Sequence, residues 1–245
     1  MSLISIVMPA YNAQHTIIQS IESILKQTHT QWELLVTDDN STDGTKDIIL
    51  NYAAKDDRIK YYLNHGVSGA WSARNNSLKY ISGEYVAFLD SDDTWEPSKL
   101  VLQLEAMVEN GVYASHTAYN RVDSVGAFLG FKKAKKLVTY KDMLKGNQIG
   151  NLTGIYSVSK LGVVMQEPIG HEDYDMWLRI LTQTDSVGVS SPLANYRVHT
   201  NSLSANKFKA AIWHFKILKK QKFISPINIW YYFMCYFINA IKSRV

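Results

Sequence analysis

The sequence predicts an α/β protein built on a mostly parallel sheet flanked by helices, with a helical C-terminal appendage. Three observations carry this. Short β-rich apolar runs alternate with segments of helical periodicity over the first 110 or so residues. Polar clusters, PAYN, TDDNSTDGT and DSDD, close three of those apolar runs. Residues 206–245 hold seven Lys and one Arg and no acid, so of the chain's net +4 the first 205 residues carry −4.

The elements follow in order. ISIVMPA reads as a first buried strand, TIIQSIESILKQ as a helix with apolar residues at helical spacing, and WELLVTDD as a second strand. TKDIILNYAAK, IKYYLN, SGAWSARNNSLKYI and YVAFLD continue the βαβ alternation. Right-handed crossovers between parallel strands give an open sheet whose ligand crevice lies at the carboxyl ends of the strands. Beyond residue 111 the alternation weakens. VYASHTAYNRVDSVGAFLGF reads as a hairpin and KKAKKLVTYKDMLKGNQIG as a basic loop with a short helix. HEDYDMWLRILTQT places Trp177, Leu178 and Leu181 on a helix whose acids cluster at the start, where the dipole favours them. Residues 1–205 are expected to form one catalytic domain, and 206–245 its basic and aromatic appendage.

Composition narrows the class. With 46% hydrophobic and 20% charged residues, a chain of 245 can bury an ordinary core. The single cysteine, Cys235, rules out an intramolecular disulfide and suits a reducing cytoplasm. MSLISIVMPAYN lacks the basic segment and long apolar core of a secretory signal, which points to the inside of the cell. The base lies in the tail and no nucleic-acid-binding motif accompanies it, so nucleic acid is not an expected partner.

Asp90, Asp92 and Asp93 fall within four residues after the buried run YVAFL. Asp93 with Glu96 reads as a capping box before a helix that Pro97 begins. Asp90 and Asp92 then repel at the end of a covered strand, and a cation should join them. A divalent ion fits that description; a solvated Asp-rich turn is the alternative. TDDNSTDGT is a turn in either case, with Ser41 or Thr42 placed to cap the next helix.

Four segments in order resemble family 2 of the glycosyltransferases, nucleotide-sugar enzymes of the GT-A fold. They are SIVMPAYNAQHTIIQSIESILKQTHTQWELLVTDDNSTDGT, SGAWSARNNSLKYISGEYVAFLDSDDTWEPSKL with a D-x-D motif, HEDYDMWL with an E-D motif, and YRVHTNSLS. The likeness spans residues 3 to 205 and is similar to bacterial enzymes of surface polysaccharide assembly, including teichuronic-acid and O-antigen transferases. It implies that Asp39 accepts the uracil imide N–H, beside a wall of Pro9, Ala10 and Tyr11, and that Arg74, Asp90 and Ser91 attend the nucleotide sugar. It implies further that Asp92 is a ligand of Mn2+ or Mg2+, joined by His199, and that Arg197 stabilises the diphosphate or braces its loop. Asp173 is the expected base with Glu172 orienting the acceptor, and His171 and Asp175 are reserves. Ser202 and Ser204 read as hydrogen-bond donors or caps.

Those implications make the chain a metal-dependent inverting transferase. A hexose, glucose or galactose first, passes from a UDP-sugar to an undecaprenyl diphosphate-linked saccharide in O-antigen or capsule assembly, with a β-linkage in the product. The alternative is a nucleotide-sugar-binding subunit without catalysis. KFKAAIWHFKILKKQK has the pattern of a basic amphipathic helix, and PINIWYYFMCYFINAI is too short to span a bilayer. Peripheral contact with the anionic inner membrane, on its cytoplasmic face, is expected of this tail. Packing on the core or a homodimer interface is the other reading.

Overall fold

The computed structural model describes residues 2–198, 207–222 and 224–242. The chain opens with β1 (Ile4–Ala10), α1 (Ile17–Leu25), β2 (Trp32–Asp38), α2 (Thr45–Ala53), β3 (Ile59–Leu63), α3 (Ala70–Leu78) and β4 (Tyr85–Phe88). There follow β5 (Thr94–Trp95), α4 (Lys99–Asn110), β6 (Ala114–Val122), β7 (Phe128–Lys132), β8 (Leu137–Val138) and α5 (Tyr140–Leu144). A 3-10 turn (Asn151–Thr153), β9 (Ile155–Ser157), α6 (Val158–Leu161), α7 (Glu172–Ile180) and β10 (Ser186–Arg197) complete the sheet region, and α8 (Lys207–Lys220) and α9 (Pro226–Lys242) close the described chain.

One sheet runs in the order β3-β2-β1-β4-β9-β6-β10-β5, with β7 on β6 and β8 on β10. Strand β1 pairs in parallel with β2 on one side and β4 on the other, so the strand order reverses at β1. That reversal opens a crevice beyond the carboxyl ends of these strands. Strand β9 lies antiparallel to both β4 and β6, and the expected hairpin is the antiparallel pair β6 and β7.

Alternation along β1 sends Ile4, Ile6, Met8 and Ala10 into a core beneath α1, α2 and α4, while Val7 faces a second core on the other side. Helix α1 covers the first core with Ile17, Ile21 and Ile24, spaced at i, i+4 and i+7 and fully buried. The second core is built from α3, α5 and α7, with Trp177 packed edge-on to Phe88 and Tyr156. Helix α4 ends at Gly111, whose φ of 63° is the left-handed cap that glycine adopts readily.

Three local expectations are corrected. Helix α4 starts at Lys99 after Ser98, so Asp93 and Glu96 form no capping box. Asp93 instead accepts the Arg197 N–H (2.8 Å) and Glu96 accepts from Asn195 (3.0 Å), because both face β10 across the sheet edge. Neither Ser41 nor Thr42 caps α2: the Ser41 hydroxyl donates to Asp38 (2.6 Å), and Asp43 receives the Thr45 N–H at the helix start (3.0 Å).

The tail divides in two. Helix α8 buries Ile217 and Leu218 in the second core and pairs Lys220 with Glu167 (2.7 Å) and Asp175 (3.0 Å), so a boundary at residue 205 does not separate two cores. Helix α9 lays Ile229, Tyr232 and Phe233 on that core and leaves Ile227, Trp230, Tyr231, Met234 and Phe237 exposed.

Candidate active site

Two cavities meet at the carboxyl end of β4. The larger, about 580 Å³, is walled by Pro9, Ala10 and Tyr11 after β1, by Asp39 after β2, and by Asp90, Ser91 and Asp92 after β4. These residues, scattered over 80 positions of sequence, converge because their strands are neighbours in register. Asp39 is buried, and its carboxylate accepts from Asn64 (2.5 Å), the Ser68 hydroxyl (2.7 Å) and the Gly69 N–H (2.7 Å). Oδ2 takes two of those bonds and Oδ1 one. A carboxylate has about four acceptor positions, so one on Oδ1 remains open to a further donor. Asp38 is occupied in shaping the turn, accepting both the N–H and the hydroxyl of Ser41.

The smaller cavity, about 310 Å³, shares Asp90 with the first and is lined by Arg74, Asp93, Glu172 and Asp173. Arg74 is a buried residue of α3, and it lines this cavity and not the larger one. Its guanidinium donates to Asp90 (2.6 Å) and Gln166 (3.2 Å), and its Nε has no partner among the described residues. Burial opposes the Arg74 charge, yet Asp90, with Asp173 and Glu172 behind it, holds its proton more firmly than usual. Glu172 and Asp173 open α7, and Asp173 accepts from Asn147 (3.4 Å). Burial pushes the Glu172 carboxyl above the usual range, with Asp173 and Asp90 adding to the shift and Arg74 opposing it. His171 is the N-cap residue of α7, and burial lowers its proton affinity.

Four expected positions need restating. Asp93 is nearly fully buried, and burial together with the charges of Asp92 and Asp90 pushes its carboxyl well above the usual range. Arg197 lines neither cavity among the described residues: its guanidinium donates to the carbonyls of Asp92 (2.9 Å) and Ser124 (2.6 Å) and to Gln19 (2.8 Å), the contacts of the bracing alternative. Asp175 is fully buried against Arg179 (2.9 Å) and Lys220, an ion-pair anchor for α8 and no reserve base. His199, with Ser202 and Ser204, lies outside the described residues.

The donor set suits a hard divalent ion. Asp90 and Asp92 offer only oxygen, the donor type a hard divalent ion prefers. Among the described residues no three acidic, histidine or cysteine side chains form a ready cage. Ligand oxygens and water would therefore complete the coordination of such an ion. Sequence reasoning missed Asn147, Asn151, Gln166 and Trp213. Trp213 comes from α8 and Asn151 from a turn that reads only as loop, so nothing local marks either as part of the cavity.

A sheet that reverses at β1, with two acid-lined cavities joined at Asp90 beyond the carboxyl ends of its strands, is of the GT-A type. The description Glycosyl transferase family 2 matches residues 5–161, and the chain belongs to that family and is a glycosyltransferase. A UDP-Glc:α-D-GlcNAc-diphosphoundecaprenol β-1,3-glucosyltransferase of Escherichia coli, WfgD, is 39% identical over 99% of this chain and 95% of its own. The putative teichuronic acid biosynthesis glycosyltransferase TuaG of Bacillus subtilis is 37% identical over 99% of this chain and 98% of its own. In fold, S. aureus TarS 1-349 in complex with UDP-GlcNAc superposes with a TM-score of 0.73 at 18% identity, covering 97% of this chain and 72% of that one.

Proposed function

We propose that the protein transfers a hexose, glucose first, from a UDP-sugar to a hydroxyl of a saccharide carried on undecaprenyl diphosphate, inverting the anomeric centre to give a β-linkage. The observation that carries this is Asp90 lining both cavities. A sugar attached to a diphosphate in the larger one is thereby directed at the carboxylates of the smaller. The names of two similar E. coli enzymes, both UDP-Glc:α-D-GlcNAc-diphosphoundecaprenol β-1,3-glucosyltransferases, support the choice of donor and acceptor.

In this reading Asp39 selects uracil through its open acceptor position, and Pro9, Ala10 and Tyr11 flank the base. Arg74 fixes Asp90 through their 2.6 Å ion pair from the side of the smaller cavity. Asp173 takes the acceptor proton on the face opposite the leaving group, and Glu172, beside it at the start of α7, orients the acceptor. Arg197 keeps the loop carrying Asp92 in place. Asp92 and Asp90, with His199, would hold Mn2+ or Mg2+, which when bound offsets the charge of the leaving diphosphate.

The exposed aromatic face of α9, beside the lysines of α8, suits the interface of an anionic membrane, where a lipid-borne acceptor is confined. No described helix is long and apolar enough to cross a membrane. Ile227→Ser with Phe237→Ser, both in exposed positions, should reduce sedimentation with phosphatidylglycerol vesicles while leaving UDP affinity unchanged. Unaltered sedimentation would turn the face over to a dimer interface, read by analytical ultracentrifugation.

The assay for transfer combines the full chain, manganese, a panel of UDP-sugars and a lipid diphosphate-linked N-acetylglucosamine, with mass spectrometry and NMR of the product. A single β-linked hexose added only with a divalent ion is expected. UDP binding with no transfer from any donor would favour the binding-subunit alternative.

A further inference from the structure

We infer that the hairpin of β6 and β7 is a docking surface for an anionic lipid bilayer, its apolar turn and edge strand seated shallowly among the headgroups and its cations facing their charge. The surface is separate from the face of α9, and the inference goes beyond the glycosyl-transfer reading without depending on it.

Val125, Phe128, Leu129 and Phe131 are 85%, 66%, 53% and 44% exposed, and none of them packs in either core. Large apolar side chains gathered in this way mark an interaction surface. The charge around them is one-sided. Residues 121–136 hold five cations and one acid, and that acid, Asp123, spends its carboxylate on the Val125 and Ala127 N–H groups inside the turn (3.0 and 2.8 Å). Lys135 pairs with Asp142 (2.6 Å), and the Lys132 amine lies over the Tyr119 ring at 5.8 Å. Arg121, Lys133 and Lys136 are exposed. An anionic interface complements both features at once, since it accepts apolar side chains below a layer of negative charge.

The topology sets this hairpin beside the cavities. Strand β6 is antiparallel to β9, β9 is antiparallel to β4, and β4 is parallel to β1, so the turn after β6 lies toward the carboxyl ends that carry both cavities. Tyr119, opposite Lys132 at the base of the hairpin, lines the smaller cavity. Arg197 donates to the carbonyls of Asp123 (3.3 Å), Ser124 (2.6 Å) and Asp92 (2.9 Å), which ties the turn to the Asp-rich loop. A second copy of the chain is the poorer occupant. Among the described residues β7 pairs with β6 alone, and their register slips between Arg121 and Val122. A bulge and lysines are devices that keep an edge strand from pairing with another, and two copies would bring like charges together. The unpaired edge of β7 also keeps insertion shallow, because backbone N–H and C=O groups without partners are costly in hydrocarbon.

The test is co-sedimentation of the full chain with phosphatidylglycerol and with phosphatidylcholine vesicles, in the absence of donor and acceptor, so that failure of the transfer reading leaves it intact. Phe128→Ser with Leu129→Ser should weaken binding to phosphatidylglycerol about tenfold or more, at low and high salt alike. Lys133→Gln with Lys136→Gln should weaken it at low salt, and the difference should vanish at high salt, where charge is screened. Both variants should keep the wild-type melting temperature and UDP affinity, because these side chains are exposed and line neither cavity. Phe128→Trp reads the contact directly: its added emission should be quenched by brominated phosphatidylglycerol. Wild-type sedimentation by both paired variants, equal binding to the two lipids, or no quenching of the added tryptophan would overturn the inference. A wild-type dimer in analytical ultracentrifugation that Phe128→Ser with Leu129→Ser dissociates would overturn it as well, giving the surface to a second copy.

Discussion

In the larger cavity the chain bonds most of its own polar groups, whereas beyond Asp90, on the side of Glu172 and Asp173, several have no partner among the described residues. Asp38, Asp39 and Asp43 each accept at least three hydrogen bonds from neighbouring turns. Across Asp90, the Arg74 Nε and both polar atoms of Asn151 are unpaired. Burial pushes the carboxyls of Asp93 and Glu172 upward there as well. A cradle whose carboxylates each already hold three hydrogen bonds is rigid before its ligand arrives.

The largest effect that could break this contrast is at the base. Asp173→Asn should lower transfer by about 10²- to 10⁴-fold with UDP-sugar affinity retained in calorimetry, since Asn keeps the shape but takes no proton. Wild-type turnover in that variant together with a dead Glu172→Gln would move the base to Glu172. Next comes the nucleotide cradle. Asp39→Asn faces an amide N–H toward donors at Ser68, Gly69 or Asn64, so UDP affinity should fall about tenfold or more and stability by about 1–3 kcal/mol, read by calorimetry and thermal melting. Unlike Asn151→Ala, which breaks no side-chain hydrogen bond among the described residues, this variant should lose stability and binding together; stability unchanged at both positions would erase the distinction between a bonded and an unbonded side.

Arg197→Lys should lower stability in urea by about 1–3 kcal/mol, because one ammonium cannot span the carbonyls of Asp92 and Ser124 and the Gln19 side chain. UDP affinity should suffer less than in Asp39→Asn. Greater damage to UDP binding than to stability would restore Arg197 as a diphosphate contact. At neutral pH the smallest effect, which grows only on acidification, is set by two buried histidines that line neither cavity. Burial lowers His214 to about 3, helped by His171, and lowers His116 to about 4. Both depressed values favour the neutral ring in the folded state, so the stability they contribute is complete above pH 6.5 and is lost as pH falls from there toward 4 and 3. Each supplies a slope of up to about 1.4 kcal/mol per pH unit. His214 stacks between Tyr174 and Tyr236, so His214→Phe preserves the stack and should flatten the fall in melting temperature between pH 6.5 and 4.5.

The first half of the site was open to reading from sequence because it is local. The runs that become β1, β2 and β4 carry their polar clusters at the ends where a parallel sheet brings them together, and Ile17, Ile21 and Ile24 announce the helix that orients the first of them. Pro9, Ala10, Tyr11, Asp39, Asp90, Ser91 and Asp92 accordingly fall along one cavity. The same local logic misjudged Asp93 and Ser41, since a capping pattern competes with tertiary hydrogen bonds that sequence spacing does not reveal.

By itself the sequence determined the βαβ alternation, the order of the acidic motifs and the basic character of the tail, because periodicity and chain-neighbour chemistry are written along the backbone. Only the tertiary structure decided that Arg197 braces the loop of Asp92, that Asp175 anchors α8, and that Asn151 and Trp213 line one cavity. Those outcomes depend on which distant segments share a buried space. Trp213 joins the cavity that Asp173 lines because α8 packs into the core that α7 begins, a consequence of burying Ile217, Leu218 and Trp177 together.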